Sequence, residues 1–126
     1  MLHEAIRGHS VLVVEDDYFL AMAIAQELEQ HGANVAGPVP CASDALPLLE
    51  PSLDAASVDI VLRDDEPCWA IVDKLTRLNV PFLFVTGNPH LIPEPHITRP
   101  VCGKPVLERE IVKLVAELII SEAEGD

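Results

Sequence analysis

The sequence predicts an α/β domain built on a parallel β-sheet with helices on both faces. Three observations carry that prediction. Short apolar runs recur along the chain, each followed by a helical pattern. The runs are continuous rather than alternating, the mark of strands buried on both faces. Polar side chains of different chemistry follow the expected strands: Glu15 and Asp16, then Asp64, Thr86 and Lys104. Right-handed crossovers bring the C-terminal ends of parallel strands to one rim, which is where open α/β sheets bind ligands.

The 126 residues, 49% of them apolar, suffice for one globular domain, 1–126. Residues 1–9 read as a leading tail and about 10–121 as the core. The first strand is Val11-Leu12-Val13-Val14, ending in Glu15, Asp16 and Asp17. These acids suit either a hard cation such as Mg²⁺ or the positive end of a helix dipole. Tyr18 to His31 is a helix with Leu20, Ile24 and Leu28 on one face, stopped by Gly32. Asn34 to Val39 is a weaker strand whose Pro38 suggests a sheet edge. Residues 42–50 predict a short or distorted helix, because Pro47 falls at the end of its first turn.

The next strand is expected over Val58 to Arg63, ending in Asp64-Asp65-Glu66. Pro67 then starts a helix whose apolar face holds Cys68, Ile71, Val72, Leu75 and Leu78, with Trp69 packing beside it. Val80 to Val85 is a strong strand that ends in Thr86-Gly87. Residues 88–100 contain four prolines, so this crossover is mostly loop, and His90 and His96 read as surface residues of it. Ile97 to Cys102 gives the last strand. The final helix follows Lys104-Pro105 and runs to about Ser121. Its stripe of Leu107, Ile111, Val112, Leu114, Val115, Leu118 and Ile119 is wide enough for burial or for a homodimer surface.

Composition excludes several function classes. A formal charge of −13 repels the phosphate backbone, which argues against nucleic acid as a partner. No apolar run reaches membrane-spanning length and no signal sequence opens the chain, so a cytoplasmic protein is expected. Cys41, Cys68 and Cys102 have no CxxC spacing and read as reduced, buried thiols.

Val13-Val-Glu-Asp-Asp17, Asp59-Ile-Val-Leu-Arg-Asp64, Phe84-Val-Thr-Gly87 and Lys104-Pro105 occur in that order. Together they resemble the receiver domain of bacterial two-component response regulators. The Pro81-Phe-Leu-Phe-Val-Thr-Gly87 stretch and the Arg99-Pro100…Lys104-Pro105 ending are similar to stand-alone alphaproteobacterial receivers.

The resemblance implies a five-stranded flavodoxin-like sheet of order 2-1-3-4-5, with the fourth helix short or absent. It implies Asp64 as acceptor of a phosphoryl group, with Thr86 and Lys104 contacting that group and a cis bond before Pro105. Mg²⁺ would be held by Glu15, Asp16 and Asp64, with Glu66 supplying its side chain where the family uses a backbone carbonyl. Asp17 is left as the helix cap. A histidine kinase or histidine phosphotransfer protein is the implied partner, and the chain is a phosphoacceptor rather than an enzyme.

Three departures accompany the match. The segment after Asp64 is about one helical turn shorter than usual. Arg63 stands where an apolar residue is usual and must snorkel or pair with Asp65, Glu66 or Asp59. Val101 replaces the switch aromatic. Two alternatives follow: a degenerate receiver acting as a phosphorylation-independent binding module, and a Toprim-like metal-dependent enzyme. The second matches Asp64-x-Glu66 but lacks the glycine expected after Glu15 and leaves Thr86 and Lys104 unexplained.

Overall fold

A computed structural model describes residues 2–124. Five parallel strands form one sheet: β1 (Ser10–Val14), β2 (Asn34–Val39), β3 (Ala55–Asp59), β4 (Phe82–Thr86) and β5 (Val101–Gly103). Their order is β2-β1-β3-β4-β5, as the resemblance implied. The helices are α1 (Tyr18–Gln30), α2 (Ala42–Ala45), α3 (Trp69–Arg77) and α4 (Glu108–Glu124).

Successive strand residues point to opposite faces, and the core divides accordingly. Leu12, Val14, Ala56, Val58, Phe82 and Phe84 pack with Ile71, Val72 and Leu75 of α3. Val11, Val13, Ala55, Leu83 and Val85 pack with Ile24 and Leu28 of α1 and Ile111 and Val115 of α4. Burial on both faces explains why these strands are apolar without alternation.

β3 lies upstream of the expected strand at Val58 to Arg63. Its residues are small because of their neighbours: Ala56 and Val58 pair with Phe82 and Phe84 of β4. Those two rings stand edge to face at 5.4 Å and fill the space that larger β3 side chains would need. The more apolar Ile60-Val61-Leu62 run leaves the sheet after Asp59.

α1 starts where Asp17 caps it, its side chain accepting from the Leu20 amide at 3.1 Å. It ends at Gly32, whose φ of +92° closes the turn. α2 is only four residues long and passes into a 3-10 turn, Leu46–Leu48, at Pro47, the distortion its proline predicts. The 88–100 crossover holds two 3-10 turns, Pro89–Leu91 and Glu94–His96, in place of a helix. This strap is anchored by Ile92 and by His96, which is 8% exposed against Phe82 and Phe84. His96 is therefore a packing residue rather than a surface one.

The leading segment is also part of the fold. Leu2–Ile6 forms a 3-10 turn, and Ile6 is fully buried in the core cluster that includes Ile111 and Val115 of α4. That docking accounts for the width of the α4 stripe. Ile111, Val112, Val115 and Ile119 are buried by the chain itself, and Leu107 is the exposed large residue at its start.

Candidate functional site

The site forms at the C-terminal rim of β1, β3, β4 and β5. Val14 pairs with Val58, so Glu15 emerges beside Asp59 at the ends of adjacent central strands. Asp59 pairs with Val85 and Thr86 with Gly103, which brings Thr86 and Lys104 to the same rim. The Lys104 amide donates to the Thr86 carbonyl at 3.3 Å, and the Lys104–Pro105 peptide is cis.

Lys104 Nζ lies 3.2 Å from Asp59 Oδ2 and 3.7 Å from Glu15 Oε2. Glu15, Asp59 and Thr86 are all buried. Thr86 Oγ1 accepts from the Asn88 amide at 2.9 Å, tying it to the head of the strap. One oxygen from each of Glu15, Asp16 and Asp59 lies within 4.8 Å of the others. Glu15 Oε2 accepts from the Asp17 amide at 3.2 Å, while Oε1 is shielded from solvent and has no hydrogen-bond partner. A shielded carboxylate oxygen without a partner is expensive. Three carboxylates around it form a hard-oxygen set that fits a divalent cation such as Mg²⁺.

The electrostatics follow from burial and crowding. Burial first, and then the neighbouring Asp59 carboxylate, push Glu15 up to about 8. Burial also raises Asp59, although Lys104 opposes it. Burial pulls Lys104 down, yet the carboxylates of Asp59 and Glu15 outweigh that and hold it above the ordinary lysine range. Without a cation, the pocket holds more negative charge than one lysine balances.

The expected residues divide into two groups. Glu15, Asp16, Thr86 and Lys104 come together on the rim, and Asp17 caps α1. Asp64 and Glu66 do not join them. Asp59, noted in the sequence only as a partner for Arg63, occupies the strand end where Asp64 was expected. The residues between β3 and α3 fold back as a narrow hairpin, with an antiparallel bridge between Val61 and Pro67. Asp64 and Asp65 form its two-residue tip at φ 61° and 58°, both exposed. The Glu66 amide donates to the Arg63 carbonyl at 3.3 Å. Positive φ at both central residues defines a type I′ turn.

Glu66 Oε1 accepts from the Ala42 amide at 2.8 Å, so that carboxylate caps α2 instead of lining the pocket. The connection after the strand-end acid is therefore not shortened. Pro67 belongs to the hairpin, and α3 begins at Trp69. Arg63 is exposed and bonds to Cys41 Sγ at 3.2 Å rather than to Asp65, Glu66 or Asp59. All three cysteines are buried and free.

No protein-family model and no curated protein matches the sequence. Solved structures do. SdrG from Sphingomonas melonis Fr1 is 29% identical, with a TM-score of 0.76 over 88% of this chain and 96% of that one. The BeF3-activated conformation of SdrG from Pseudomonas melonis Fr1 is 30% identical, with a TM-score of 0.69 over 87% of this chain and 95% of that one. The non-phosphorylated HemR receiver domain from Leptospira biflexa is 22% identical, with a TM-score of 0.73 over 88% and 94%. The response regulator PhyR from Brucella abortus is 23% identical, with a TM-score of 0.78 over 98% of this chain and 53% of that one. The chain thus spans about half the length of PhyR but nearly all of SdrG. On the SdrG identity and the fold shared with the HemR receiver, the chain belongs to the receiver domains of response regulators.

Proposed function

We propose that the chain is a phosphoacceptor receiver that takes its phosphoryl group on Asp59. The observation that carries this reading is the position of Lys104 Nζ, 3.2 Å from Asp59 Oδ2 at the end of a central strand. An Asp59 carboxylate oxygen attacks phosphorus, the P–N bond of a phosphohistidine breaks, and the bonding pair leaves with the imidazole, which takes up a proton. Positioning and charge stabilisation account for most of the catalysis in such transfers.

Lys104 offers its ammonium to the phosphoryl oxygens as their charge develops, and the Thr86 hydroxyl is placed to donate to one of them. Glu15, Asp16 and Asp59 would hold Mg²⁺, which supplies neutralising charge at the phosphoryl oxygens. Asp64 and Glu66 are dropped from both roles, because neither reaches the pocket. The partner is a histidine kinase or a histidine phosphotransfer protein, and output passes through protein–protein contacts. The receiver is then a signalling domain rather than a catalytic enzyme. Among the described residues, no helix is long and apolar enough to cross a membrane.

The test is incubation with phosphoramidate and Mg²⁺, read by intact mass. One phosphoryl group is expected on the wild type, none after chelation and none on Asp59→Asn. An unmodified wild type would leave the binding-module reading in its place.

A further inference from the structure

We propose that Arg63 is a second cation of the pocket and binds the phosphoryl group of the incoming donor. This inference rests on the phosphoacceptor reading above. A cleft of about 330 Å³ adjoins the acids. Glu15, Asp16, Tyr18 and Met22 line it, Pro38 to Pro40 supply another wall, and Arg63 belongs to the same lining.

Arg63 is held there by the backbone. Its amide donates to the Pro40 carbonyl at 3.1 Å, and its own carbonyl accepts from Glu66 across the hairpin tip. The tip places two aspartates in the left-handed region, where glycine or asparagine costs less. Backbone strain of this kind persists only where the surroundings over-determine it. Here it fixes the residue immediately before the turn.

The guanidinium itself is under-used. Its one hydrogen bond runs to the Cys41 thiol, a weak acceptor, and among the described residues it joins no ion pair. In a chain of formal charge −13, a guanidinium beside Glu15 and Asp16 would be expected to collapse onto them. The hairpin and Cys41 hold it off the carboxylates, and its remaining N–H donors stay free for an anion. A planar guanidinium suits the oxygens of a phosphoryl group. Lys104 and Arg63 then approach that group from different elements of the rim.

The reasoning predicts opposite signs for two measurements on Arg63→Ala. Removing a donor to the phosphoryl oxygens lowers the initial rate with phosphoramidate at saturating Mg²⁺ by about tenfold. Removing a positive charge near the acids leaves Mg²⁺ binding unchanged or tightens it by up to about threefold. Arg63→Lys keeps the charge but loses the fork, and falls between the two rates. An unchanged phosphoramidate rate in Arg63→Ala overturns the proposal. So does a parallel loss of rate and Mg²⁺ affinity, which would assign Arg63 to holding the hairpin. A wild type that takes up no phosphoryl group removes the phosphoacceptor reading, and this inference with it.

Discussion

Replacing Glu15 by Gln should stabilise the metal-free domain, and by more as the pH rises. Glu15 is 2% exposed, and Oε1 has no hydrogen-bond partner. Burial and the adjacent Asp59 move its folded-state value from 4.5 to about 8. Between those values the folded chain binds more protons at this site than the unfolded chain. Stability therefore falls as pH rises through that window, because its slope follows the unfolded-minus-folded proton count.

The full rise is equivalent to at most about 5 kcal/mol. Relaxation and water entry reduce such penalties, so about 1–3 kcal/mol should be measurable near pH 8. Gln abolishes the titration at the cost of a longer-range attraction to Lys104 at 3.7 Å. Urea unfolding with a chelator present, run on both proteins from pH 5 to pH 8, reads the difference. We expect the wild type to lose stability across the range and Glu15→Gln to lose much less. Mg²⁺ should restore wild-type stability at pH 8 and leave the variant nearly unchanged. A pH-independent wild type, or a variant less stable at pH 8, would refute the claim of an uncompensated buried carboxylate.

Two further outcomes test parts of the fold that the sequence did not disclose. Ile6→Ala should destabilise the domain by about 2–4 kcal/mol in equilibrium unfolding, the ordinary penalty for emptying a core site; a mobile leading tail would give no change. The double replacement Asp64→Gly and Asp65→Gly should stabilise by about 0.5–1 kcal/mol, since glycine adopts positive φ freely. It should also leave phosphoramidate uptake intact, whereas an acceptor role for Asp64 would abolish it.

Much of the rim was legible in the sequence. Glu15, Asp16, Thr86 and Lys104 follow apolar runs closely, and parallel topology sends such positions to one edge whatever the details of packing. The topology was legible for the same reason. Asp59 was missed because hydrophobicity pointed to the wrong stretch. Ile60-Val61-Leu62 reads as the core of a strand, while Ala55-Ala56-Ser57 has low strand propensity.

The small residues sit in the centre of the sheet because Phe82 and Phe84 on the neighbouring strand take up the volume. One signal was available. Asp64-Asp65, flanked by Leu62 and Pro67, permits a tight hairpin, which would have moved the strand end back to Asp59. The burial of Ile6 and His96 was not legible. Each depends on an apolar surface assembled from distant segments, α4 for Ile6 and the β4 phenylalanines for His96.

The central claim is that the phosphoryl group enters on Asp59, and locating it chemically tests that most directly. Borohydride reduces an aspartyl phosphate to homoserine, which peptide mass spectrometry places in the sequence. After treatment with phosphoramidate and Mg²⁺, homoserine is expected at position 59 alone. Homoserine at position 64, or at neither position in a chain that has gained a phosphoryl group, would contradict the account.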